Sequence, residues 1–172
     1  MTKKHASEFD NRQYMIHDKF ELYYYENALL TGDSHKHNYY EILFFVEGNA
    51  SMIIENSFHH LKSGDVLIIP PNTSHHIINH DLSIPYRRFV FWLSRSYYRT
   101  IKSYSNELSY IFEHTRKEKQ YVYSNDVITF NSIQSKLFSI IEEIHSRRYA
   151  KEIKISTCIY DLMIHLNQYL NH

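Results

Sequence analysis

Between residues 39 and 93 the chain is cut into short apolar runs by turn-forming residues, and this punctuation limits the fold more than any other feature. Residues 39–47 (YYEILFFVE) stop at Gly48-Asn49, and 50–55 (ASMIIE) stop at Asn56-Ser57. Residues 58–62 (FHHLK) stop at Ser63-Gly64, and 65–69 (DVLII) stop at Pro70-Pro71. Residues 75–79 and 85–93 (PYRRFVFWL) follow, and an aromatic run at 20–26 (FELYYYE) precedes them. Runs this short, rich in aromatic and β-branched residues, are strands rather than helices. Two-residue turns between them predict antiparallel pairing in a sandwich or barrel.

The pattern changes after Ser94. Residues 96–104 and 107–114 predict short helical turns, 116–119 a charged loop, and 120–123 a short extended piece. Beyond that the apolar period becomes helical. Ile133, Leu137, Ile140, Ile141 and Ile144 form one stripe, and Ile155, Ile159, Leu162, Met163, Leu166 and Leu170 form a second. The predicted organisation is a flexible arm at 1–18, a barrel at 19–94, a mixed connector at 95–130 and a helical hairpin at 131–172. The fold class is therefore mainly β with C-terminal α. The second stripe is expected to pair two chains.

Composition removes several function classes. The formal net charge is zero, so a nucleic-acid-binding role for this chain itself is not expected. The basic stretch Arg87, Arg88, Arg95, Arg99 and Lys102, with Tyr97 and Tyr98 inside it, reads as a solvated face. The run Tyr23-Tyr24-Tyr25 reads as edge-strand packing rather than a platform for bases. One cysteine, Cys158, excludes an internal disulfide and sits in an apolar helical pattern. No secretory signal and no apolar stretch of membrane-spanning length is visible, so the expected location is the cytoplasm and no membrane partner is expected.

Two polar clusters interrupt the apolar runs. The first holds His35, His37 and Glu41; the second ends at His75 and Asn79. Side chains alternate along a strand, so on one continuous strand His35, His37 and Glu41 share a face. His75 has to reach them from another strand. Three imidazoles and a carboxylate meeting at one point make either a divalent transition-metal site (Fe, Mn, Ni or Zn) or the polar part of a ligand pocket. By the same alternation Tyr39, Leu43 and Phe45 are expected beside Glu41 as lining residues. His59-His60 and His75-His76 each send at most one ring inward.

The set His35-x-His37, Glu41, Gly48, then Gly64, Pro70, His75 and Asn79 resembles the two-part signature of the cupin superfamily. There the barrel is a double-stranded β-helix, or jelly roll, and the residues matching His35, His37, Glu41 and His75 are the usual metal ligands. The sequence departs from that pattern at Leu29 and Asn72, where glycines are usual; Asn tolerates the left-handed backbone angles such a glycine supplies. The wording HNYYEILFFVEGN and LKSGDVLIIPPNTSHHI is also similar to the sensor domain of AraC-type transcription regulators. That resemblance implies a small-molecule effector in the barrel, a homodimer through the helices, and DNA contact only through a helix-turn-helix region that follows such domains and would begin about where residue 172 falls. It implies no enzymatic activity and no required cofactor. The alternative is a small metal-dependent cupin enzyme, an oxygenase or isomerase.

Overall fold

The computed structural model describes residues 15–26 and 33–170. Of the expected arm at 1–18, residues 1–14 therefore lie outside the described residues, as does Leu29. The strands are β1 (Phe20–Tyr25), β2 (Tyr40–Glu47), β3 (Ala50–Ile54), β4 (Ser57–His60), β5 (Val66–Ile69), β6 (His75–Asn79), β7 (Arg87–Leu93) and β8 (Val122–Tyr123). The helices are α1 (Arg95–Tyr104), α2 (Asn106–Glu118), α3 (Val127–Ile144) and α4 (Lys151–Tyr169). None of these helices is long and apolar enough to cross a membrane.

The strands form two separate sheets. One has the order β1-β7-β2-β5-β8, the other β4-β3-β6, and every named pairing is antiparallel. The larger sheet is the middle layer of three. Tyr40, Ile42 and Phe44 of β2, with Phe89 and Phe91 of β7, join one core with helical residues such as Ile101, Phe112, Leu137 and Leu162. The alternate residues Leu43, Phe45, Leu67 and Ile69 join a second core with Ala50, Met52 and Ile54 of the smaller sheet. This explains why 39–47 and 65–69 read as nearly continuous apolar sequence: these strands are buried on both faces. Each large side chain so buried contributes about 1.5–3 kcal/mol.

Turn chemistry sets the edges of these elements. Gly48 adopts a φ of +145°, where a Cβ would press on the rings of Phe45 and Tyr86 at 3.3 Å. Asn72 adopts a φ of 63°, the left-handed angle that the sequence substitution there anticipates. Ser94, Ser105 and Asp126 accept from the first-turn amides of α1, α2 and α3. The Asp126 cap starts α3 four residues ahead of the predicted hairpin boundary at 131. The stretch 116–119, predicted as a loop, is instead mostly the last turn of α2, which ends at left-handed Lys119. Arg116 and Lys117 suit the negative end of the helix, and Arg116 pairs with Glu113 one turn back.

Two further expectations are corrected. Ile155, Ile159, Leu162, Met163, Leu166 and Leu170 are all buried inside the chain's own core, where α4 packs on α2 and α3. They have no surface left to offer a partner. The basic stretch is also not a solvated face throughout, because Arg88, Tyr97 and Tyr98 are buried.

Candidate functional site

The polar cluster assembles where the chain enters β2 and β6. His35 and His75 form an isolated antiparallel bridge: the His35 N–H donates to the His75 carbonyl at 3.1 Å, and the His75 N–H donates to the His35 carbonyl at 2.9 Å. The Asn72 N–H donates to the His37 carbonyl at 2.7 Å and fixes that residue as well. The expected single strand is thus not the cause of the juxtaposition. β2 begins only at Tyr40, and residues 35–39 are held by backbone bonds to residues 72–75 instead.

One ring nitrogen from each of His35, His37 and His75 lies within 4.8 Å of the others. The other nitrogens decide the chemistry. Nδ1 of His35 faces the Asp33 carbonyl at 3.2 Å, Nδ1 of His37 the Tyr39 carbonyl at 3.0 Å, and Nδ1 of His75 the Thr73 carbonyl at 2.9 Å. A carbonyl only accepts, so each Nδ1 carries the hydrogen and each Nε2 presents a lone pair. Histidines that ligate metals are oriented in this way. Nε2 of His75 is buried and has no hydrogen-bond partner. Burial pushes the His75 imidazole below its usual range, against the pull of Glu41, and so favours the neutral ring a metal needs.

Glu41 closes the cluster. Its Oε2 is 3.2 Å from Nε2 of His37 and 3.9 Å from Nε2 of His75. The indole N–H of Trp92 donates to the same oxygen at 2.8 Å. Burial opposes ionisation of Glu41, but the His37 contact, the field of His75 and the indole N–H outweigh it and hold the carboxyl at about 2. Nε2 of His37 and Oε2 of Glu41 stand at hydrogen-bond distance, a contact that needs a hydrogen or a metal ion between the two atoms. A cation between them, proton or metal ion, makes that contact favourable. The donor set therefore fits a divalent transition metal.

The expected lining residues divide. Leu43 and Phe45 continue from Glu41 into the apolar core between the sheets and have almost no exposed surface. Tyr39 sits in a different cluster with Tyr25, Val90 and Trp92. Its ring stacks flat on His37, with centroids 3.9 Å apart and planes 2° apart. Of the histidine pairs, His75 is buried and His76 half-buried, while Nε2 of His59 is buried and His60 is exposed. Sequence reasoning missed Trp92, which stands directly opposite Glu41 in the β2–β7 register. It also missed Arg88 of β7, whose guanidinium lies over the ring of Tyr25 on β1 at 4.6 Å and over that of Tyr86 at 4.2 Å. The available signal was parity: Arg88, Val90 and Trp92 alternate on one face of the run 85–93.

No curated protein matches the chain. Among solved structures it is similar to a cupin 2 conserved barrel domain protein from Salinispora arenicola, at 20% identity and a TM-score of 0.40, over 48% of this chain and 69% of that one. An RmlC-like cupin family protein with a double-stranded β-helix fold from Methanocaldococcus jannaschii is 21% identical, with a TM-score of 0.36, over 44% and 68%. A salicylate 1,2-dioxygenase variant from Pseudoaminobacter salicylatoxidans is 21% identical, with a TM-score of 0.39, over 43% of this chain and 21% of that one. The family model of the cupin domain matches residues 25–88. That match spans the strand-rich stretch holding His35, His37, Glu41 and His75.

Proposed function

We propose that this chain is a ligand-sensing cupin module whose ligand binds at a divalent transition-metal ion held by His35, His37 and His75, with Glu41 beside it. One observation carries the reading: all three Nδ1 atoms face backbone carbonyls, which leaves three Nε2 lone pairs to converge. A bound ion would supply Lewis acidity and an attachment point for an anionic or carbonyl-bearing small molecule. The chain's own residues do the rest. Thr73 and Asp33 fix ring tautomers, and the Tyr39 ring stacks on His37.

The sensor role, as in AraC-type regulators, rests on the sequence resemblance and on the layer order. Glu41 faces the cluster, while its neighbours Tyr40 and Ile42 face the helices. A ligand that prefers one position of β2 therefore biases the helical layer by its difference in affinity for the two states. In this reading a second copy packs on the outer face of α4, where Ile153 and Ile164 are exposed, in place of the buried stripe. The second reading is a metal-dependent oxygenase or isomerase. It is favoured by the ionised carboxylate beside the histidines, a group able to accept a proton.

Metal content of the purified chain tests the centre. One equivalent of Fe, Mn, Ni or Zn, lost in His75→Ala, is the expected result. The only tryptophan in the chain is Trp92, so its emission should change on metal addition to metal-stripped protein and stay constant in the variant. A wild-type chain that takes up none of these metals sinks the proposal. Turnover of a small molecule by the loaded protein would favour the enzyme.

A further inference from the structure

The smaller sheet brings together a second pair of imidazoles, on the side turned away from the core. Ala50, Met52 and Ile54 of β3 pack into the core between the sheets, so by alternation Ser51 and Ile53 point outward. His60 of β4 stands opposite Ser51 in the ladder, and its Nδ1 lies 3.2 Å from the Ser51 Oγ. His80 follows the last residue of β6, and its Nε2 lies 2.7 Å from the same oxygen. The two rings thus reach one hydroxyl from the two strands that flank β3. Backbone bonds hold both approaches. The His80 N–H donates to the Asn49 carbonyl at 2.8 Å, and the Leu61 N–H, next to His60, donates to the Ala50 carbonyl at 3.0 Å. Ser51 has no exposed surface, which rules it out as a nucleophile, whereas both histidines are open to solvent.

A serine hydroxyl carries one hydrogen, so it can satisfy the lone pair of only one of these nitrogens. A neutral imidazole can carry its hydrogen on either nitrogen, so both nitrogens can present lone pairs toward Ser51 at once. A cation that binds both then replaces the shared hydrogen. We propose that His60 Nδ1 and His80 Nε2 hold a divalent transition-metal ion on the outer side of the smaller sheet, with Ser51 Oγ as the third donor. Two imidazoles and a hydroxyl favour Cu2+ first, with Ni2+ and Zn2+ weaker. The ion's remaining positions face solvent and are left to water. Bound there, it clips β4 to the end of β6 across β3. The site shares no residue with the His35–His37–His75 cluster and does not rest on the metal reading above.

Copper titration of the metal-stripped full chain supplies the test. His60→Gln and His80→Gln alter exposed residues and leave His35, His37 and His75 in place. Each should bind one equivalent of Cu2+ less than wild type, and the double variant should lose that same equivalent and no more. The electron paramagnetic resonance signal of this equivalent should show coupling to two nitrogens. Cu2+ should also raise the thermal midpoint of wild type more than that of either variant, because an ion that binds only the folded chain stabilises it by mass action. Ser51→Ala should weaken this equivalent by about tenfold or more, the least that a directly contacting donor is expected to contribute. Equal copper uptake in wild type and both single variants overturns the proposal. A double variant that loses two equivalents also overturns it, since the rings then bind separately, as does a signal coupled to one nitrogen. Unchanged affinity in Ser51→Ala overturns the role of the hydroxyl as a donor.

Discussion

The ring of Tyr40 lies against the ring of Tyr98, with centroids 4.3 Å apart and planes 30° apart, one residue away from Glu41. Phe112 meets both rings edge-on, at 5.2 Å from Tyr40 and 5.5 Å from Tyr98. This aromatic trio joins β2 to α1 and α2. A double-mutant cycle on Tyr40→Leu and Tyr98→Leu should give a coupling of about 1 kcal/mol in urea denaturation, above what lost burial accounts for. Independent effects of the two substitutions would deny β2 this grip on the helices.

Glu113 ties the same helices together. It accepts from Tyr98, from Lys102 at 3.0 Å and from Arg116. Burial opposes its ionisation, but these hydrogen bonds and the two cations outweigh it and lower its pKa from the ordinary carboxylate value. The folded pKa lies below the unfolded one, so the stability it contributes is fully present above the unfolded pKa of about 4.3 and is lost as pH falls through the folded value. Urea midpoints measured from pH 6 down to about pH 3 should therefore decline less steeply in Glu113→Gln than in wild type. Parallel curves would count against Glu113 as a source of acid sensitivity.

Gly64 has a φ of +97°, and a Cβ there would sit 2.8 Å from the Asn125 carbonyl oxygen. That backbone is also tied down, since Asn125 Nδ2 donates to the Gly64 carbonyl at 2.9 Å. Gly64→Ala combines strain with a backbone clash and should cost about 2 kcal/mol or more, read as a fall in the thermal midpoint. An unchanged midpoint would mean that the 124–126 turn moves freely.

Leu162 and Ile153 lie on opposite faces of α4: Leu162 is fully buried, Ile153 is 72% exposed. Leu162→Asp places a charge in the core without a partner and should unfold the chain, at a cost of about 4 kcal/mol or more. Ile153→Asp should stay within about 0.5 kcal/mol of wild type in stability. Its sedimentation then reports on assembly alone, which a variant of the buried stripe cannot do. A folded, monomeric Leu162→Asp would restore that stripe as an interface.

The strand order in sequence was readable because each strand ends at a residue that cannot continue it, from Gly48 to Pro70. The clustering of His35, His37, Glu41 and His75 was readable too, although for an incomplete reason. Period-2 spacing placed the first three together, whereas the chain is not a strand at 35–39 and is held by its bonds to Asn72 and His75. Trp92 was not readable, because its position opposite Glu41 follows from the register of β2 with β7, strands far apart in sequence. The stripe of α4 showed that it is buried but not against what. Its cover comes from α2 and α3, and α2 is longer than its charged end suggested.

Because β2 is covered by helices on one side and by the smaller sheet on the other, it has no face that can change alone. A substitution within 40–45 that reshaped the cluster for a new ligand would disturb one of the two cores at once. The segments at 33–38 and 72–74 carry no such double duty. Adaptation of this scaffold to new ligands is therefore expected to accumulate in those two segments, with β2 the slowest part of the molecule to diverge.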